Sequence, residues 1–334
     1  MEKQTVTIIM YHYVRNLKKS RYPEIKGLDL ALFQEQLDFL EKHFHFITTE
    51  ELLAAAKGTQ TLPENSLLLT FDDGYLDHYT NVFPILKERG IRGFFSMPGK
   101  ILAEQKLLDV NKIHFILAST STEELLSAVY ERLEYYRGRE YPIPPTEELY
   151  QKLAQPNRFD PAEVIFIKRL LQVELEENLR NQIVNDLFIQ CIGIPEDLFA
   201  QELYMSMDQV KLMQREGMCF GIHGYEHYWM NRLSAKELRE DVEKALDVFT
   251  GIVPREWICC YPYGSSSNTV IETVRGMGAA AGLCTEARVA DLQKDNIFNL
   301  PRLDTNDFPP KNKEYRVRAY PQIAKEGVEK GKMN

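Results

Sequence analysis

Two acidic residues, Asp72 and Asp73, end an apolar run (Ser66-Leu67-Leu68-Leu69) and are followed at once by Gly74. Far downstream, His223 and His227 follow a second apolar run, Met218-Cys219-Phe220-Gly221-Ile222, with four residues from one imidazole to the next. One carboxylate and two imidazoles make a facial set of ligands for a divalent metal and leave positions open for water and substrate. The second carboxylate is then available to take a proton from that water. This is hydrolase chemistry. Taken alone, Asp-Asp-Gly is ordinarily a turn whose carboxylates accept backbone N–H bonds ahead of a glycine. The hydrolytic reading rests on both motifs occurring in order, with Tyr261-Pro262-Tyr263-Gly264 behind them.

Such residues need a scaffold that carries separate strand ends to one rim. Strand-like apolar runs at 5–10, 67–71, 93–97, 219–222, 257–261 and 279–284, with a weaker one at 297–300, alternate with helical patterns. That alternation predicts an α/β fold with a mostly parallel sheet. Between the first two runs, Phe33, Leu37 and Leu40 share one face of a helix begun near Asp29. A second helix begins at Thr48 with Glu51 closing a capping box, and Ser234 with Glu237 opens another in the same way. Residues 82–89 read as a helix ended by Gly90. In parallel α/β folds the loops leaving the C-terminal strand ends build the site. His12, Asp72-Asp73, 223–227 and 261–264 all follow strand-like runs directly.

The stretch 101–204 behaves differently, with helix starts at Ser121, Thr146 and Asp160-Pro161 and no strand pattern. The expected organisation is a barrel portion over 1–100 and 205–310, a helical insertion over 101–204 that serves as lid or specificity domain, and a tail over 311–334. A chain of 334 residues is long enough for that. A net charge of -9 argues against a nucleic-acid partner, since the basic surplus that neutralises phosphates is missing. No stretch approaches the roughly 20 apolar residues that span a bilayer. Five cysteines without CxxC spacing, and an N-terminus without a signal-peptide run, point to a cytoplasmic protein with reduced thiols. Oligomeric state is not readable from the sequence.

Thr70-Phe71-Asp72-Asp73-Gly74, His223-x-x-x-His227 and Tyr261-Pro262-Tyr263-Gly264 together resemble the polysaccharide deacetylase family, carbohydrate esterase family four, over residues 5–100 and 205–305. The resemblance implies a distorted (β/α) barrel and a metal held by Asp73, His223 and His227. Zn²⁺ is the foremost ion, with Co²⁺, Ni²⁺ and Mn²⁺ also suited to the set. Asp72 becomes the general base, and the backbone N–H of Tyr263 an oxyanion donor.

Three departures from the family pattern stand out. Gly224 occupies the position after the first histidine where Ser or Thr is usual, so a supporting hydrogen bond must come from elsewhere. Cys260 stands where an arginine usually contacts the base, and Arg302 is the candidate replacement. No histidine follows His227, although the family carries a C-terminal histidine that protonates the leaving amine. His12 has the same apolar-x-His form, which resembles the circularly permuted branch of the family, and is the expected general acid.

Other candidates read more plainly. His78 caps a loop, His114 is structural or touches substrate, Cys259 and Cys260 are small core residues, and Tyr228 and Trp229 are either packing or a sugar-stacking wall. The expected function is metal-dependent removal of an N-acetyl group from an amino sugar or glycan during surface-polysaccharide assembly. Two other readings stay open: an amidohydrolase of imides or ureides, and a carbohydrate-binding relative whose chemistry has decayed.

Overall fold

A computed structural model describes residues 4–139, 141–157 and 159–312. Its described residues divide into two compact units, one within 4–16, 27–105 and 201–312, the other within 17–26 and 106–200. The helical unit thus starts at Lys106 rather than Ile101, and it takes in 17–26, which the sequence pattern had left with the barrel. Most of the expected 311–334 tail, from Lys313 on, lies outside the described residues.

The first unit is built on β1 (Thr5–Tyr11), β2 (Ser66–Asp72), β3 (Phe94–Met97), β4 (Cys219–Ile222), β5 (Trp257–Cys260) and β6 (Ala279–Leu283), hydrogen-bonded in that order. All five pairings are parallel. Parallel strands covered on both faces lose the in–out alternation of an exposed sheet. Every residue of β2 is accordingly buried, which is why Leu67-Leu68-Leu69 shows no polar alternation. Interior positions of the curled sheet are filled by Ile8, Leu68, Phe94, Ile258, Ala281 and Leu283.

The expected strand at 297–300 is instead a short 3₁₀ turn, Ile297–Asn299. Leu300 follows it and pairs with Leu283 at the end of β6, while Leu303 pairs with Ile9 of β1. One segment therefore bridges the two outer strands of the six. A single bridge at Leu300 and a two-residue strand at Leu303–Asp304 do the work of closure, and Arg302 lies between them.

Helix Leu30–His43 is N-capped by Asp29, and helix Thr49–Ala56 has the capping box of Thr48 and Glu51. The helix expected over 82–89 is Phe83–Glu88, preceded by a π-helical turn, His78–Val82.

The second unit is helical among its described residues. Its main helices are Asp109–Ser119, Thr122–Tyr136, Thr146–Leu153, Ala162–Arg169 and Glu177–Ile192, around a core of Phe115, Leu133, Phe166, Ile183 and Leu187. Asp160 does not cap helix Ala162–Arg169, whose N-cap is Pro161. Its carboxylate is held by Lys26 and by Lys168 instead, the latter at 2.8 Å. Two ammonium groups compete successfully for an acceptor that would otherwise serve backbone N–H groups. Among the described residues no helix is long and apolar enough to cross a membrane.

Candidate active site

Asp72 is the last residue of β2, and its register partner on β3 is Ser96, whose hydroxyl donates to Asp72 Oδ1 at 2.5 Å. The two-residue period of a strand puts Thr70 and Asp72 on one face. Arg302 reaches that face from the closing segment: its Nη1 lies 2.8 Å from Asp72 Oδ2, 3.0 Å from Oδ1 and 3.2 Å from Thr70 Oγ1. Its Nε donates to the carbonyl of Cys284 at 2.9 Å. Arg302 and Asp72 are each 1% exposed, so the pair is fully desolvated. Burial alone would raise the Asp72 carboxyl, but the guanidinium, with His223, His12 and the Ser96 hydroxyl, holds it below the usual range. Asp72 is therefore a carboxylate at neutral pH.

Cys260, where the family usually has arginine, ends β5 with its thiol 3.6 Å from Arg302 Nη1. The small side chain leaves room for the guanidinium that arrives from the other direction. Burial pushes this thiol up, so it stays protonated and is no nucleophile.

Asp73 turns away from β2 in the left-handed region, at φ 72°. His227 and Tyr263 share that conformation, at φ 62° and 58°. Backbone strain of this kind in non-glycine residues costs of order 1–3 kcal/mol each and persists where the surroundings enforce it. Asp73 Oδ2 accepts from Tyr75 at 2.6 Å. Its Oδ1 lies 3.3 Å from His227 Nε2 and 3.5 Å from His223 Nε2.

The ligand atoms of Asp73, His223 and His227 lie within 4.8 Å of one another, and all three residues are buried. Asp73 Oδ1 and His227 Nδ1 are buried without a hydrogen-bond partner. Orphaned polar atoms in a dry site are costly unless something else satisfies them. His223 Nδ1 sits 2.7 Å from the Cys260 carbonyl, which only accepts, so Nδ1 carries the proton and Nε2 presents its lone pair. Burial lowers His223 to about 4, keeping it neutral. A carboxylate oxygen without a hydrogen-bond partner, faced by the Nε2 atoms of two imidazoles, one of them tautomer-fixed, fits a divalent metal.

His12 follows β1 and is partly exposed, close enough to Asp72 and Asp73 to stabilise both carboxylates. Its backbone is gripped by the π-helical turn. His78 Nε2 donates to the His12 carbonyl at 2.8 Å, Asn81 Nδ2 to the Val14 carbonyl at 2.8 Å, and Arg15 Nε to Asp77 Oδ2 at 2.6 Å. His78 is thus no simple loop cap but a buried tie between the two segments.

Tyr263 lies in the 3₁₀ turn Pro262–Gly264, its ring edge-on to His227 at 4.8 Å and stacked on Trp229 at 4.6 Å. All seven residues singled out by sequence therefore belong to one unit, with the four acidic and imidazole groups of the two motifs drawn together. Ser96 and Asp241 were missed. Ser96 is one polar residue in the run Phe94–Met97, a signal too slight to separate from strand filler.

A family model described as "Polysaccharide deacetylase" matches residues 59–131 and 190–282. The poly-β-1,6-N-acetyl-D-glucosamine N-deacetylase of Escherichia coli (strain K12) is 42% identical over 58 residues, 17% of this chain and 9% of that protein. The chain spans a third or less of the curated relatives it matches, 33% and 9% for the first two. Among solved structures, IcaB from Ammonifex degensii is similar with a TM-score of 0.55 at 20% identity, covering 97% of each chain. The Streptococcus pyogenes deacetylase PplD in complex with acetate gives 0.55 at 14% identity over 92% of this chain and 95% of that one. At such identities these likenesses speak for the fold.

Proposed function

The chain belongs to the polysaccharide deacetylase family, and on that premise we propose that it hydrolyses the N-acetyl group of an amino sugar or glycan. The observation that carries this reading is the division of labour between adjacent carboxylates. Asp73 faces two imidazoles at 3.3 and 3.5 Å, while Asp72 is turned to Arg302 and Ser96. Two like groups pushed into different environments take different roles.

In this reading Asp73, His223 and His227 hold the metal, Zn²⁺ foremost. When bound, such an ion lowers the pKa of water and polarises an amide oxygen. Asp72, ionised and fixed by its two partners, accepts the proton of the attacking water. The backbone N–H of Tyr263 offers a donor to the oxyanion, an interaction worth about 3–4 kcal/mol in comparable sites. His12 gives a proton to the departing amine. Arg302 orients Asp72 and keeps it charged, supporting an intact rather than a decayed site. The five cysteines, all unpaired, support a reducing compartment and hence an early step in surface-glycan assembly.

Acetate release from N-acetylglucosamine oligomers tests the proposal, with a cyclic imide as control substrate. Release that a chelator abolishes and Zn²⁺ restores is expected, falling at least 100-fold in His12→Ala. Hydrolysis of the imide alone overturns the substrate class, and undiminished turnover in His12→Ala overturns the acid.

A further inference from the structure

The turn between His223 and His227 is clamped from two sides. The carbonyls of Gly224 and Tyr225 accept the backbone N–H groups of Gly99 and Lys100, at 3.0 and 3.1 Å. On the other side, the N–H of Tyr225 donates to Asp241 Oδ2 at 2.9 Å and that of Glu226 to Asp241 Oδ1 at 3.0 Å. Asp241 is a carboxylate on the buried face of helix Ala235–Val248, in line with Leu238, Val242 and Ala245, and only 8% exposed. An acid in that position costs desolvation energy unless its oxygens are used. Both are used here on the turn between two metal ligands.

Gly224 completes the fit. It sits at φ 70°, and a Cβ there would stand 2.8 Å from Asp241 Oδ2. A serine or threonine would displace the carboxylate, so glycine at 224 and the acid at 241 make one device. The supporting hydrogen bond that the sequence pattern lacks after His223 has a replacement, delivered to the backbone instead of to a side chain.

We infer that Asp241 is a positioning residue for the metal centre: its carboxylate fixes the 224–226 turn and thereby aims His227, at φ 62°, toward Asp73. This rests on the metal reading given above. The turn would otherwise have to hold a strained residue with its N–H groups unsatisfied, and the imidazole would lose its preset direction.

The test is Zn²⁺ binding to the purified full chain after chelator treatment, by competition with a chromophoric chelator, beside the melting temperature of the metal-free protein. Asp241→Asn keeps shape but presents one acceptor oxygen and turns an NH₂ toward the other backbone donor. Its Zn²⁺ affinity is expected to fall 10–100-fold, and the Zn²⁺-induced rise in Tm to shrink. Asp241→Ala should do the same if it folds; if it does not, the asparagine variant decides. A lower metal-free Tm with wild-type Zn²⁺ affinity reduces Asp241 to a helix-packing residue and overturns the proposal. Wild-type protein that takes up no Zn²⁺ is a different failure, which removes the metal reading and this inference with it.

Discussion

Nη1 of Arg302 stands 2.8 Å from Asp72 Oδ2 and 3.0 Å from Oδ1, so one buried nitrogen serves both oxygens of the proposed base. The arginine comes from the segment that links the outer strands β6 and β1, and closing the barrel and charging the base are thereby one structural act. Removing either partner strands a desolvated charge, which costs about 3–5 kcal/mol for buried pairs.

Arg302→Ala follows directly. The lowered Asp72 pKa means that its charge stabilises the fold above the unfolded value near 3.8, a contribution lost as pH falls through the lower folded value. Without the guanidinium, burial loses its largest opponent and the carboxyl rises. The acid limb of kcat/KM should move to higher pH, with turnover at neutral pH down roughly 100-fold. An unmoved acid limb in a folded Arg302→Ala protein would show that the arginine does not tune the base.

Cys260 tests the same corner by size. Its thiol is 3.6 Å from Arg302 Nη1 and fully buried. Cys260→Ala should keep turnover within a few-fold and cost about 1 kcal/mol of stability. Cys260→Leu should overpack the corner, costing roughly 1–3 kcal/mol and pushing the guanidinium off Asp72. Loss of activity in the alanine variant, measured with Tm unchanged, would give the thiol a chemical role that burial denies it.

Asp72 and Asp73 should separate cleanly in a paired experiment. Asp72→Asn is expected to retain bound metal while turnover falls about 10²–10⁴-fold. Asp73→Asn is expected to lose the metal itself, because Oδ1 faces both imidazoles. Metal content by elemental analysis, read beside acetate release, distinguishes the two. Equal metal loss in both variants would contradict the assignment of roles.

Legibility followed the backbone. β2 and β4 were readable because a buried parallel strand lacks in–out alternation and is mostly apolar, and the motifs sit at the ends of such runs. The 297–300 run misled because closure uses one paired residue, Leu300, and a two-residue strand, Leu303–Asp304, which leave no periodic signal. Arg302 drew notice only through the gap at Cys260. Asp241 did leave a mark, a charge interrupting the apolar stripe of helix Ala235–Val248, but a stripe tolerates one acid at its margin and only the fold shows both oxygens occupied. The grip of the π-helical turn on His12 was invisible, since nothing local distinguishes His78 from a loop histidine.

That grip has a pH signature. His78 is fully buried among Phe71, Tyr75 and Phe95, and burial lowers it to about 4 from 6.5. Between those values the unfolded chain binds a proton that the folded chain refuses. Stability from neutral His78 is therefore complete above pH 6.5 and lost progressively as pH falls toward 4. The loss amounts to roughly 3 kcal/mol at one proton per chain. His78→Phe keeps a ring in the aromatic cluster but has no proton to gain and no donor for the His12 carbonyl. Urea unfolding of both metal-free proteins across this range should show the wild type losing stability faster on acidification, other titrations cancelling in the difference. Turnover of His78→Phe at neutral pH should also fall, because the His12 segment loses one of its ties. A difference between the two proteins that stays flat from pH 7 to 4 would mean that burial among the three rings does not hold His78 neutral.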